Sequence, residues 1–178
     1  MTSSFKDDLN RPLPPPTPLD YPPYVSTKTI DNLPCAHRQW RHSGHCRFVH
    51  GYSRTLHFTF GASALTEEGF VVDFSDLKEM RGWLEDTFDH TLLLNHDDPL
   101  LSNPAFMELC QEDNPVRAFQ LVVLDNVGME GTARFVFDYV DGWLRERTAD
   151  RAWLVSVECR ENAKNSAIYH GRRPIPSV

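Results

Sequence analysis

The chain has 178 residues, room for one domain of ordinary size with a modest tail and a core that needs no covalent staple. It carries 18 Lys and Arg against 25 Asp and Glu, with no basic run, so a nucleic-acid partner, which would demand a basic stripe, is not expected. No stretch approaches the roughly 20 apolar residues of a membrane helix, the first residues lack a hydrophobic signal region, and four cysteines without zinc-finger or disulfide-framework spacing read as free thiols in a cytoplasmic protein.

Residues 1–24 are expected to form a disordered tail, because the run from Arg11 to Pro23 is dense in proline, which fixes φ and removes backbone donors. Residues 25–178 are expected to fold as a single domain. Val25–Leu33 reads as a first strand of imperfect alternation. The next is clearer: Leu56, Phe58 and Phe60 alternate with Thr55, His57 and Thr59, the period of a half-buried strand. Carried backward, that parity puts Arg54, Tyr52 and His50 on the apolar side and His57 on the other.

Gly69–Phe74 reads as a short strand, and Ser75 as the cap of a helix through Thr87 with Leu77, Met80, Leu84 and Phe88 on one stripe. The prolines at 99 and 104 break the chain into loop or short helix. Ala118–Leu124 reads as a strand, and Glu130–Arg147 as a helix facing inward through Ala133, Phe137, Val140 and Leu144. A last strand, Trp153–Glu161, places Trp153, Val155, Val157, Cys159 and Glu161 on one face. This order predicts an α+β fold, an antiparallel sheet with helices on one side.

The densest chemical signal is the segment from His37 to Tyr52, with four histidines and a cysteine: His37, His42, His45, Cys46 and His50. Catalytic zinc takes three protein ligands and keeps one position open, and His50 has inward geometry by parity. Cys46 lies four residues before His50, where a nearby cation would lower a thiol's pKa and make it useful. Asp89-His90 could form an acid–base pair, but only in a bend, since strand neighbours point opposite ways. Glu161 ends an apolar row, where a carboxylate needs a donor; the paired N–H edge of a pterin or guanine ring would supply two.

Together these segments resemble the 6-pyruvoyl-tetrahydropterin synthase and 6-carboxytetrahydropterin synthase family, in a divergent bacterial form. The matches are Ala36-His37, Cys46-Arg-Phe-Val-His50-Gly51, Gly69 through Asp73-Phe74 to Leu77-Lys78, Asp89-His90 with Leu94-Asn95, Glu130, and Glu161 with Tyr169. The resemblance implies a T-fold, a four-stranded antiparallel sheet with two helices on one face. It further implies assembly into a ring of subunits, such as a hexamer, with active sites between them. It makes His37 and His50 zinc ligands, Cys46 the catalytic thiol, Asp89 and His90 its acid–base partners, and Glu161 the anchor for the pterin. The expected reaction converts dihydroneopterin triphosphate to 6-carboxytetrahydropterin, on the path to queuosine. Elimination of triphosphate to a pyruvoyl pterin, and pterin binding without catalysis, stand as alternatives. Three departures from the pattern are visible. Tyr52 replaces the second histidine of H-G-H, leaving Tyr52 as the third metal ligand, or His42 or His45 as the source of the third nitrogen, or a weakly bound zinc. The D-H to L-N spacing has one extra residue, and Asp125–Met129 replaces a Pro-Thr approach to Glu130.

Overall fold

The computed structural model describes residues 22–171, so the expected disorder of the tail lies, up to Tyr21, outside the described residues. Strand β2 (His50–Ala62) follows the alternation: Leu56, Phe58 and Phe60 are fully buried. Each such phenylalanine contributes roughly 1.5–3 kcal/mol of transfer free energy. His57 turns to the other face, where its Nδ1 lies 2.8 Å from Thr29 Oγ1.

Strand β1 (Tyr24–His37) pairs antiparallel with β2, from Tyr24 opposite Ala62 to His37 opposite His50. It runs past the expected end at Leu33 because of a bulge. The register shifts between Ile30 and Leu33, and Asn32 takes a left-handed φ of 59°. The extra residue resets the parity, so that Ile30, Leu33, Cys35 and His37 all face inward and are buried.

The sheet continues through β5 (Ala152–Arg160) and β6 (Ser166–His170) on one side, and through β3 (Thr91–Asn95) and β4 (Leu121–Leu124) on the other. The order is β4-β3-β1-β2-β5-β6, with β1–β3 and β3–β4 parallel and the remaining pairs antiparallel. The expectation of four antiparallel strands is therefore corrected to six in a mixed sheet. The expected strand Ala118–Leu124 is present as β4, shortened to Leu121–Leu124, while β3 carries no alternation to read: it is buried along its whole length, as parallel strands are.

Helices α1 (Lys78–Phe88) and α3 (Met129–Thr148) pack their apolar stripes into one core with β2, through Met80, Leu84 and Phe88 and through Ala133, Val136, Phe137, Val140 and Leu144. Between them Trp83 stacks on Tyr139 with ring centroids 3.7 Å apart. A short α2 (Pro104–Glu108) starts at a proline after Asn103, whose side chain accepts from the Ala105 and Phe106 N–H groups.

Three local expectations change. Gly69–Phe74 is loop rather than strand, although Val71 and Val72 still enter the core. Helix α1 begins at Lys78 instead of following a Ser75 cap, because the Ser75 N–H is taken by Asp73 Oδ1 in a turn at 2.8 Å. A register shift between Thr59 and Phe60 splits the inward row of β5: Ala152 and Leu154 precede it, Val157 and Cys159 follow it, and Trp153 and Val155 stand outside the row.

Candidate active site

The bulge in β1 has a chemical consequence, since it sets His37 directly opposite His50 on the inward face. Their ring centroids are 4.5 Å apart. Tyr52, the next inward residue of β2, stands 5.7 Å from His50 and 6.2 Å from His37. Gly51 permits this closure: a Cβ there would sit 3.1 Å from the Cys35 carbonyl oxygen. Glu161, just past β5, brings Oε1 to 3.9 Å from His37 Nε2. That distance is beyond a hydrogen bond.

Burial pushes His37 down to about 3, with Arg54 and then His50 adding to the effect, so its ring is neutral near pH 7. The contact with Glu161 is accordingly not an ion pair at that pH. His37 Nδ1 is buried without a hydrogen-bond partner. His50 Nδ1 lies 2.7 Å from the Phe48 carbonyl oxygen, to which it donates. Neutral imidazole nitrogen is a usual zinc donor. Tyr52 adds an oxygen, outside the usual Cys, His and carboxylate set. Among the described residues no group of three or more His, Cys, Asp and Glu side chains is placed to hold a metal. The donors that these three rings offer are imidazole nitrogens and a phenol oxygen.

His42 and His45 are both exposed in the loop before β2, and His42 Nδ1 accepts the Gly44 N–H. Cys46 sits on the same connection, in a single 3₁₀ turn (His45–Arg47), and is exposed. The loop is tied down by contacts that sequence reasoning missed. Arg38 donates through Nε and Nη2 to the two oxygens of buried Asp98. Burial alone would raise the Asp98 carboxyl, but Arg38 and the Leu100 N–H outweigh it and hold it below its ordinary value. Asn95 Nδ2 donates to Gln39 Oε1, Gln39 Nε2 donates to Asn126 Oδ1, and the Gln39 N–H donates to the Cys46 carbonyl. Amide chains of this kind leave no mark in a sequence, because the partners lie 56 and 87 residues apart.

Asp89 and His90 do occupy a bend. His90 takes a φ of 58°, and its Nδ1 lies 2.6 Å from Asp89 Oδ1. The pair is exposed, and His90 lines a hollow of about 520 Å³ with Pro34, Ala36 and Ser53, and with Cys35 and Tyr52 of the inward row. Among the described residues no ring contact joins His90 to His37 or His50. The imidazole pair and the Asp–His pair are thus two separate clusters in this chain.

The other missed residue is Arg54, which is 1% exposed. It belongs to the inward row with His50 and Tyr52, donates to Thr132 Oγ1, and donates to the Val127 carbonyl at 2.6 Å. Its Nε is buried without a partner.

Comparison with known proteins bears on the family and the fold. Residues 26–172 match the family model described as 6-pyruvoyl tetrahydropterin synthase. A 6-carboxy-5,6,7,8-tetrahydropterin synthase from Bacillus subtilis (strain 168) is 38% identical over 131 residues, covering 74% of each chain. One from Rickettsia bellii (strain RML369-C) is 38% identical over 63 residues, 35% of this chain and 46% of that protein, so this match spans about half of the relative. Among solved structures, an uncharacterized protein from Wolinella succinogenes superposes with a TM-score of 0.70 at 20% identity, over 84% of this chain and 98% of that one. A Plasmodium vivax 6-pyruvoyltetrahydropterin synthase gives 0.58 at 17%, over 84% and 99%. These two likenesses concern the fold, and the family follows from the sequence match over residues 26–172: the chain belongs to the 6-pyruvoyl tetrahydropterin synthase family.

Proposed function

We propose that this chain is a lyase of the 6-carboxytetrahydropterin synthase type, acting in the cytoplasm on 7,8-dihydroneopterin triphosphate and feeding the synthesis of 7-deazaguanine compounds such as queuosine. The observation that carries the reading is the meeting of His37, His50 and Tyr52 beside Glu161. In this reading Glu161 accepts two N–H groups of the pterin ring and sets its orientation. Zinc, held by His37, His50 and Tyr52, would supply polarisation of the substrate's side-chain oxygens. Cys46 takes a proton from a side-chain carbon, and His90, oriented by Asp89, carries protons through Nε2.

These groups meet only if a second subunit lends its Asp89–His90 pair to the pocket, so the reading includes a homo-oligomer, as the resemblance implies. Exposed Phe48, Val49 and Tyr52 around the Cys46 turn supply apolar surface for such a contact. The test is incubation of the zinc-loaded protein with dihydroneopterin triphosphate, followed by mass spectrometry. A 6-carboxytetrahydropterin product is expected. A pyruvoyl pterin would change the reaction but keep the site, and no pterin product at all would sink the lyase reading.

A further inference from the structure

Arg54 is a cation where a cation is costly. Arginine keeps its charge at any physiological pH, and a buried charge without a counter-ion is normally expensive. Both acceptors of Arg54 are neutral, a hydroxyl and a carbonyl, and its Nε has none. Among the described residues no carboxylate forms an ion pair with it. The charge therefore stands without a direct ion-pair partner, two residues beyond Tyr52 on the inward row that also carries His50 and that meets His37 across the strand pair.

We infer that Arg54 is a specificity-determining residue for the metal: its fixed positive charge weakens the hold of the His37–His50–Tyr52 pocket on a divalent cation. The inference rests on the zinc reading proposed above. Arg54 and Tyr52 act in the same direction, since one withholds a nitrogen ligand and the other repels the ion in a medium that screens poorly. The pocket then loads zinc only at concentrations well above those that fill a three-histidine site, and exchanges it readily. A purely structural role for Arg54, pegging the turn at Val127 and the start of α3, makes the opposite prediction. Loss of the peg would loosen the pocket and weaken metal binding.

The experiment is calorimetric titration of zinc into metal-free full-length protein and its variants. Arg54→Gln removes the charge but keeps a donor for the Val127 carbonyl, and is expected to bind zinc at least about tenfold more tightly. Thr132→Asp leaves Arg54 in place and puts a carboxylate against its guanidinium, and is expected to shift affinity the same way. This second variant decides the matter if Arg54→Gln does not fold. Unchanged or weaker zinc binding in the folded variants overturns the inference. His37→Ala separates it from the reading beneath it. If that variant loses zinc while Arg54→Gln matches the wild type, only the role of Arg54 falls. If His37→Ala binds zinc as the wild type does, the metal pocket falls as well.

Discussion

The two halves of the chemical apparatus are built in contrasting ways. The pair of His37 and His50 is set in the sheet itself: cross-strand register places the rings, burial keeps His37 neutral, and its Nδ1 is left without a partner. Asp89–His90 is exposed, sits on a left-handed turn after α1, and satisfies itself. A buried group with an empty valence waits for a ligand, whereas an exposed pair that points away waits for a neighbour. The contrast teaches that one chain can hold two clusters of titratable side chains apart, each built by a different local device.

The largest effect would come from breaking that division. His90→Ala and His50→Ala should each lower turnover about 10²- to 10⁴-fold. A mixture of the two inactive variants, dissociated and reassembled together, should regain activity, because some interfaces then join two intact halves. Absence of recovery in the product assay would mean that each chain works alone.

Glu161→Gln replaces one acceptor by a donor facing the ring's N–H, and should weaken pterin binding about tenfold, measured by fluorescence titration. The site's scaffold comes next. Asp98→Ala leaves the Arg38 guanidinium without its buried partner and should cost about 3 kcal/mol in urea unfolding. An unchanged midpoint would make that ion pair a bystander.

A smaller effect concerns pH. His37 is held down at about 3 from its ordinary 6.5, so the unfolded chain binds the proton first. In metal-free protein the neutral ring's contribution is fully present above pH 6.5 and is lost as the pH falls toward 3. Wild type should therefore lose thermal stability relative to His37→Phe across that window, and parallel curves would contradict the shift. Smallest of all is a labelling difference. Cys46 should react quickly with a thiol reagent, while Cys35 and Cys159, both pushed up by burial, Cys159 to about 12, should stay inert until unfolding.

Much of this was legible before any coordinates. The inward row of β2 could be read from Phe60 back to His50 because that strand has no irregularity between those residues. The helices were legible from their stripes. What resisted reading was whatever depended on a break in period. The bulge at Asn32 decides that His37 faces His50, and the second bulge removes Trp153 and Val155 from the row that leads to Glu161. Strands β3 and β6 were missed because one is buried throughout and the other is a short, mostly exposed edge. Arg54 was placed on the correct face by parity, but its neutral acceptors, Thr132 and the Val127 carbonyl, are neighbours distant in the chain.

By itself the sequence determined which residue types were available and which of them shared a strand face, because side-chain alternation is local and needs nothing beyond the backbone. The tertiary structure alone decided which faces met. It set a histidine against a histidine across two strands, left a guanidinium without an ion-pair partner among the described residues, and held the Asp–His pair in a bend of its own. Register shifts and a left-handed turn control those outcomes, and their energy is settled by packing across the whole sheet.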